Sequence, residues 1–92
     1  MSDFINFLKE NLNLNGFNLL QTNYRDFIIL KSYSKYSKCI YLHFTNEQLH
    51  VHIHKVFDTK GYYDNIERIF IDSKYFNNYY ESFDYIQRNV AI

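Results

Sequence analysis

All four histidines of the chain and its one cysteine fall within a single stretch, Cys39-Ile40-Tyr41-Leu42-His43-Phe44-Thr45-Asn46-Glu47-Gln48-Leu49-His50-Val51-His52-Ile53-His54. Imidazoles and thiolates ligate metals, attack phosphoryl or acyl groups and exchange protons near neutral pH. Which of these is open to them depends on which side chains share a face. Both halves of the stretch alternate apolar with polar or aromatic residues, the period of a β-strand. An Asn46-Glu47 turn sets the register. Phe44 then pairs with Leu49, Leu42 with Val51 and Ile40 with Ile53; on the reverse, His43 meets His50, Tyr41 meets His52 and Cys39 meets His54. A slip of one residue would put imidazoles among the core aliphatics. Burying Leu49, Val51 and Ile53 contributes roughly 1.5–3 kcal/mol each, so the aliphatic side faces inward and the histidines outward.

Successive residues on one face lie about 6.6 Å apart, so imidazoles two positions apart can converge on one ion. A zinc site in this hairpin uses His52, His54 and Cys39, or His43, His50 and His52. Neither set has an evident acidic ligand or second cysteine to complete it. The plainer expectation is a half-buried histidine face with Tyr41 packed across it. Cys39 as a nucleophile needs a base, and His54 is the residue placed to serve; a lone buried cysteine is the commoner case.

The run His50-Val51-His52-Ile53-His54-Lys55-Val56 resembles the His-φ-His-φ-His-φ-φ signature of the histidine-triad nucleotide hydrolases and transferases. The resemblance implies phosphoryl transfer with His52 as the attacking residue. It spans these seven residues, departs at Lys55 where the family carries an apolar residue, and comes without the family's long upstream nucleotide-binding half or a glycine-rich phosphate cradle. His43-Phe44-Thr45 matches one half of the two-histidine phosphoesterase signature, but the second half is missing.

Two further groups invite binding rather than catalysis. Lys31, Lys35 and Lys38 interleave with Tyr33 and Tyr36; such lysines neutralise phosphates while the rings stack on bases, as in single-strand nucleic-acid binders. The competing expectation is a solvated hairpin tip whose lysines discourage edge pairing. Tyr62, Tyr63, Tyr75, Tyr79, Tyr80 and Tyr85 crowd the last third beside Asp64, Glu81 and Asp84. Tyrosine offers rigid amphipathic area at low entropic cost, so these residues are the candidate anchors for a protein partner.

The elements that hold these groups follow from pattern. Residues 3–14 read as a helix with Ser2 as N-cap, a buried stripe of Phe4, Ile5, Leu8 and Leu12, and Asn15-Gly16 as its left-handed stop. Strands are expected at 17–22, 27–33, about 36–45, about 48–57 and 66–71, separated by polar turns. Phe27 and Ile29 then fall beside Leu42 and Ile40 on the inward face. Ile28 and Leu30 fall on the histidine side, which suggests that a helix partly covers it. From Asp72 or Ser73 a closing helix is expected, with Phe76, Tyr79, Phe83, Ile86 and Val90 stepping by three and four. The order is α-β-β-β-β-β-α: an α+β domain over residues 1–92, with a five-stranded antiparallel meander flanked by an N-terminal and a C-terminal helix.

Composition bounds the rest. Ten basic and ten acidic side chains cancel among 92 residues, so no polyanion partner is announced by net charge. Large apolar groups are too dense for disorder, and no apolar run reaches the ~20 residues of a membrane span. The absence of a signal-peptide pattern and the single cysteine suit a reducing, cytoplasmic setting. The expectation is a non-enzymatic, protein-binding module without cofactor, monomeric or homodimeric. It would act as a stoichiometric inhibitor, as anti-CRISPR-type phage proteins and toxin immunity proteins do. Nucleic-acid binding, zinc binding and histidine-triad chemistry are the alternatives.

Overall fold

The computed structural model describes residues 1–58 and 66–91. The chain opens with helix α1, Ser2–Asn11, which buries Phe4, Ile5 and Leu8. It stops short of the expected residue 14 because asparagine side chains compete for the backbone there. Asn11 Nδ2 donates to the Phe7 carbonyl, and Asn13 Oδ1 accepts from the Asn15 amide. Leu12 is already extended, yet it remains buried and completes the stripe. Ser2 is the first helical residue and not the cap: Met1 holds that position, without a side-chain hydrogen bond. Asn15 and Gly16 take φ of 50° and 89°, the left-handed turn that their residue types favour.

Five strands follow: β1 (Asn18–Asn23), β2 (Asp26–Ser32), β3 (Ser37–Phe44), β4 (Leu49–Asp58) and β5 (Ile66–Phe76). They form one antiparallel sheet in sequential order. The central hairpin has the expected register, with Phe44 opposite Leu49, Leu42 opposite Val51 and Ile40 opposite Ile53. Phe27 and Ile29 lie beside Leu42 and Ile40 as expected.

The fifth strand departs from expectation. It runs through Asp72–Phe76, where a helix was expected, and pairs Phe76 with Leu49, Tyr75 with His50 and Asp72 with Ile53. The Leu49–Ile53 half of β4 needs a partner for its second row of backbone hydrogen-bonding groups, and Tyr75-Phe76 suits a pleated surface. A 3₁₀ turn, Tyr79–Ser82, capped by Asn78 Oδ1 on the Tyr80 amide, then leads into helix α2, Phe83–Val90. The three-and-four spacing was a true record of inward positions, but Phe76 contributes to it from a strand.

One core cluster joins Phe4, Ile5 and Leu8 of α1 and Ile86 and Val90 of α2 to the inward row Ile29, Ile40, Leu42, Phe44, Leu49, Val51 and Ile53. Both helices therefore pack on the aliphatic face. No histidine-face side chain belongs to that cluster, which corrects the expectation that a helix covers part of the histidine side. Among the described residues no helix is long and apolar enough to cross a membrane.

Candidate functional site

The face of the sheet that neither described helix covers brings all four histidines together. His43 lies opposite His50, Tyr41 opposite His52 and Cys39 opposite His54. Along β4 the rings of His50 and His52 meet edge-on at 4.0 Å between centroids, and those of His52 and His54 stack at 5.2 Å. His52 Nδ1 and His54 Nε2 share a hydrogen bond of 3.0 Å, which leaves His54 Nδ1 buried without a partner. His50 Nε2 is likewise buried and unpartnered.

β5 supplies the far wall. Tyr75 stacks flat on His50, 3.9 Å between centroids at 3°. Phe70 packs edge-on against His52 and His54. Tyr75 and Phe70 have opposite parity in sequence and share a face only because the ladder shifts register between Ile53 and His54, making Ile71 the extra residue of a bulge. Plain alternation does not reveal this; the unalternating run Ile69-Phe70-Ile71 was the available signal. Arg68 follows Phe70 on the same face. With Tyr41, His43, His50, His52 and His54 it lines a shallow depression of about 280 Å³.

The electrostatics follow from this crowding. Burial, then the neighbouring His52, pushes the pKa of both His50 and His54 down; His43 adds to the effect on His50 and Arg68 to that on His54. His43 is engaged elsewhere, its Nδ1 hydrogen-bonded to Asp26, and that bond holds the Asp26 carboxyl below its ordinary range. Cys39 is 5% exposed, and burial pushes its thiol up, against thiolate chemistry. Burial also raises the Tyr41 phenol.

Among the described residues, no three His, Cys, Asp or Glu side chains gather as a metal site needs. The trio His43, His50 and His52 is drawn apart because His43 turns to Asp26 while His50 lies against Tyr75. For Cys39, His52 and His54, the thiol is buried and the two imidazoles bond to each other.

The lysine–tyrosine hairpin lies on the helix side of the sheet, its lysine row next to the Cys39–His54 pair in register. Lys31, Lys38 and Lys55 are successive register partners across β2, β3 and β4. Lys31 Nζ donates to the Asn15 carbonyl at 3.0 Å, and Lys38 Nζ donates to the Asn89 carbonyl at 2.6 Å, at the negative end of α2. Burial, then Lys55, lowers the Lys38 pKa. Tyr33 and Tyr36 stack on each other at 4.8 Å, and Phe57 extends the row. Lys35 is exposed at the tip.

The tyrosines of the last third divide by environment. Tyr75 is 63% exposed on the open face, and Tyr80 is 49% exposed beside α1, against Phe4 and Phe7. Tyr79 is half-buried, with its hydroxyl on the Thr45 carbonyl. Tyr85 is a core residue bonded to Asp72, and burial and that bond push its phenol far up. Tyr62 and Tyr63 lie outside the described residues. Arg68, Phe70, Asp26 and the exposed Leu20 belong to the open face without having been singled out by sequence. Compared with models of known families, with curated proteins and with solved structures, the chain shows no significant match.

Proposed function

We propose that this protein is a non-enzymatic, protein-binding module that engages its partner through the open face of the sheet. The observation that carries this reading is the pair Phe70 and Tyr75, exposed on β5 beside the histidines, with half-buried Ile28 and Leu30 and exposed Leu20 extending the same face across β2 and β1. Apolar and aromatic area of this kind, rimmed by polar groups, is the composition of an interface centre. Strands hold it rigid, which lowers the ordering cost of association. The class we favour is a stoichiometric antagonist acting by steric occlusion, such as an anti-CRISPR-type protein from a phage or mobile element, or a toxin immunity protein. Its anchors are Tyr75 and Phe70, with Tyr80 at a separate position.

Affinity capture from a host lysate tests this. The wild-type protein should retain one dominant partner at fixed stoichiometry. Phe70→Asp with Tyr75→Asp should release it while the far-ultraviolet circular dichroism stays native. Retention by the double variant would overturn the assignment to this face.

A second reading, single-stranded nucleic-acid binding, draws on the Lys31–Lys38–Lys55 row and the Tyr33–Tyr36–Phe57 rings. The carbonyl bonds of Lys31 and Lys38 and the mutual stacking of the tyrosines weigh against it. Binding that weakens steeply with salt would favour it.

A further inference from the structure

Among the described residues the depression on the open face is lined by an imidazole row, a phenol and a guanidinium, without a carboxylate. Asp26, which faces the row from β2, is bound to His43. Two imidazole nitrogens, on His50 and His54, are buried there without a partner among the described residues. A buried polar atom left unpaired in a native structure calls for an explanation, and a water or ion bound there is one. From this geometry we infer that the depression is an oxyanion site, taking a carboxylate or phosphoryl group between the imidazole row and Arg68.

A metal cation and an anion make opposite demands on these residues. A cation needs converging lone pairs, and no three such ligands gather among the described residues. It would also sit beside the Arg68 guanidinium, whose field reaches His54, Cys39 and Tyr41. An oxyanion needs donors and positive charge, and guanidinium presents a planar fork of donors suited to both carboxylate and phosphate. The unpartnered nitrogens of His50 and His54 become donors once protonated.

The site is therefore coupled to protons. Among the described side chains, the other titratable groups facing the row are Asp26 on β2, Cys39 on β3 and Tyr75 on β5. Burial, and after it the neighbouring charges, push the pKa of His50 and His54 down. A bound anion reverses the second cause, so binding takes up protons and tightens as pH falls through the imidazole range. This inference is independent of the protein-binding reading, because simple ions probe it without any partner.

Inorganic phosphate and acetate, titrated separately into the full chain and followed by NMR of the imidazole resonances, test it. Saturable shifts of His50, His52 and His54 are expected, with affinity at least about threefold tighter at pH about 6 than at about 7.5. Arg68→Gln, at an exposed position, should weaken binding by about fivefold or more. Phosphate binding without acetate binding identifies a phosphoryl ligand. Comparable binding of both identifies a carboxylate, such as an acidic side chain of a protein. Shifts that do not saturate by about 50 mM of either ion overturn the inference. So does an Arg68→Gln variant that binds both ions as tightly as the wild type.

Discussion

Val51 and His52 are neighbours in β4, yet the peptide between them separates two kinds of surface. Val51 is fully buried among Leu42, Ile53 and the helices, and its row neighbours Leu49 and Ile53 belong to the same core cluster as α1 and α2. His52 belongs to a row that no helix covers among the described residues, and the rings of that row pack on one another and on Tyr75, Phe70 and Tyr41. The same alternation builds both faces. One is consumed in holding the fold; the other keeps its polar atoms and aromatic area available. Stability and recognition should therefore separate cleanly by face.

Truncation on the sealed face gives the largest expected effect. Phe44→Ala should cost about 3–5 kcal/mol and Ile53→Ala about 2–5 kcal/mol in urea unfolding, because neither site can collapse against two helices and a sheet. Phe70→Ala and Tyr75→Ala remove comparable area from the open face and should each cost at most about 1 kcal/mol. A loss on the open face as large as that of Ile53→Ala would erase the distinction.

Tyr85 tests the border between the faces and the helix layer. Tyr85→Phe keeps the ring in the core but leaves Asp72 without its donor. It should cost about 0.5–1.5 kcal/mol, with partner capture unchanged.

The pH dependence of stability sharpens the comparison further. His50 and His54 titrate lower in the folded state, so the unfolded chain binds protons first as pH falls. Their contribution is complete above the unfolded histidine value of about 6.5 and is lost as pH drops through the window beneath it. Asp26 is also depressed. Its contribution is present above the unfolded value of about 3.9 and is lost as pH falls through the lower, folded pKa. Thermal unfolding between pH about 7.5 and 3 should thus decline in two stages. His50→Gln with His54→Gln should remove the upper stage, and Asp26→Asn the lower. A single stage untouched by the histidine substitutions would contradict the placement of the rings.

The smallest effect separates the exposed lysine from its paired neighbours. Lys35→Ala should change stability by less than about 0.5 kcal/mol, whereas Lys38→Ala removes the donor to the Asn89 carbonyl and should cost about 1 kcal/mol. Equal losses would mean that the α2 terminus does not depend on that bond.

Much of this architecture was legible in the residues. The parity of Leu49, Val51 and Ile53 against His50, His52 and His54 determined the hairpin register and the side each row faces, because alternation is a local property of a strand and a slip would bury imidazoles. Asn15-Gly16 likewise marked a left-handed turn. What a single sequence could not decide was what comes to lie on each face. The helical spacing through Phe76 concealed a strand, since β4's demand for a hydrogen-bonding partner comes from another part of the chain. The bulge at Ile71 brought Phe70 beside the imidazoles, and the packing of both helices on one side left the histidines uncovered. These outcomes depend on contacts between residues distant in sequence, and only the folded chain settles which of them win.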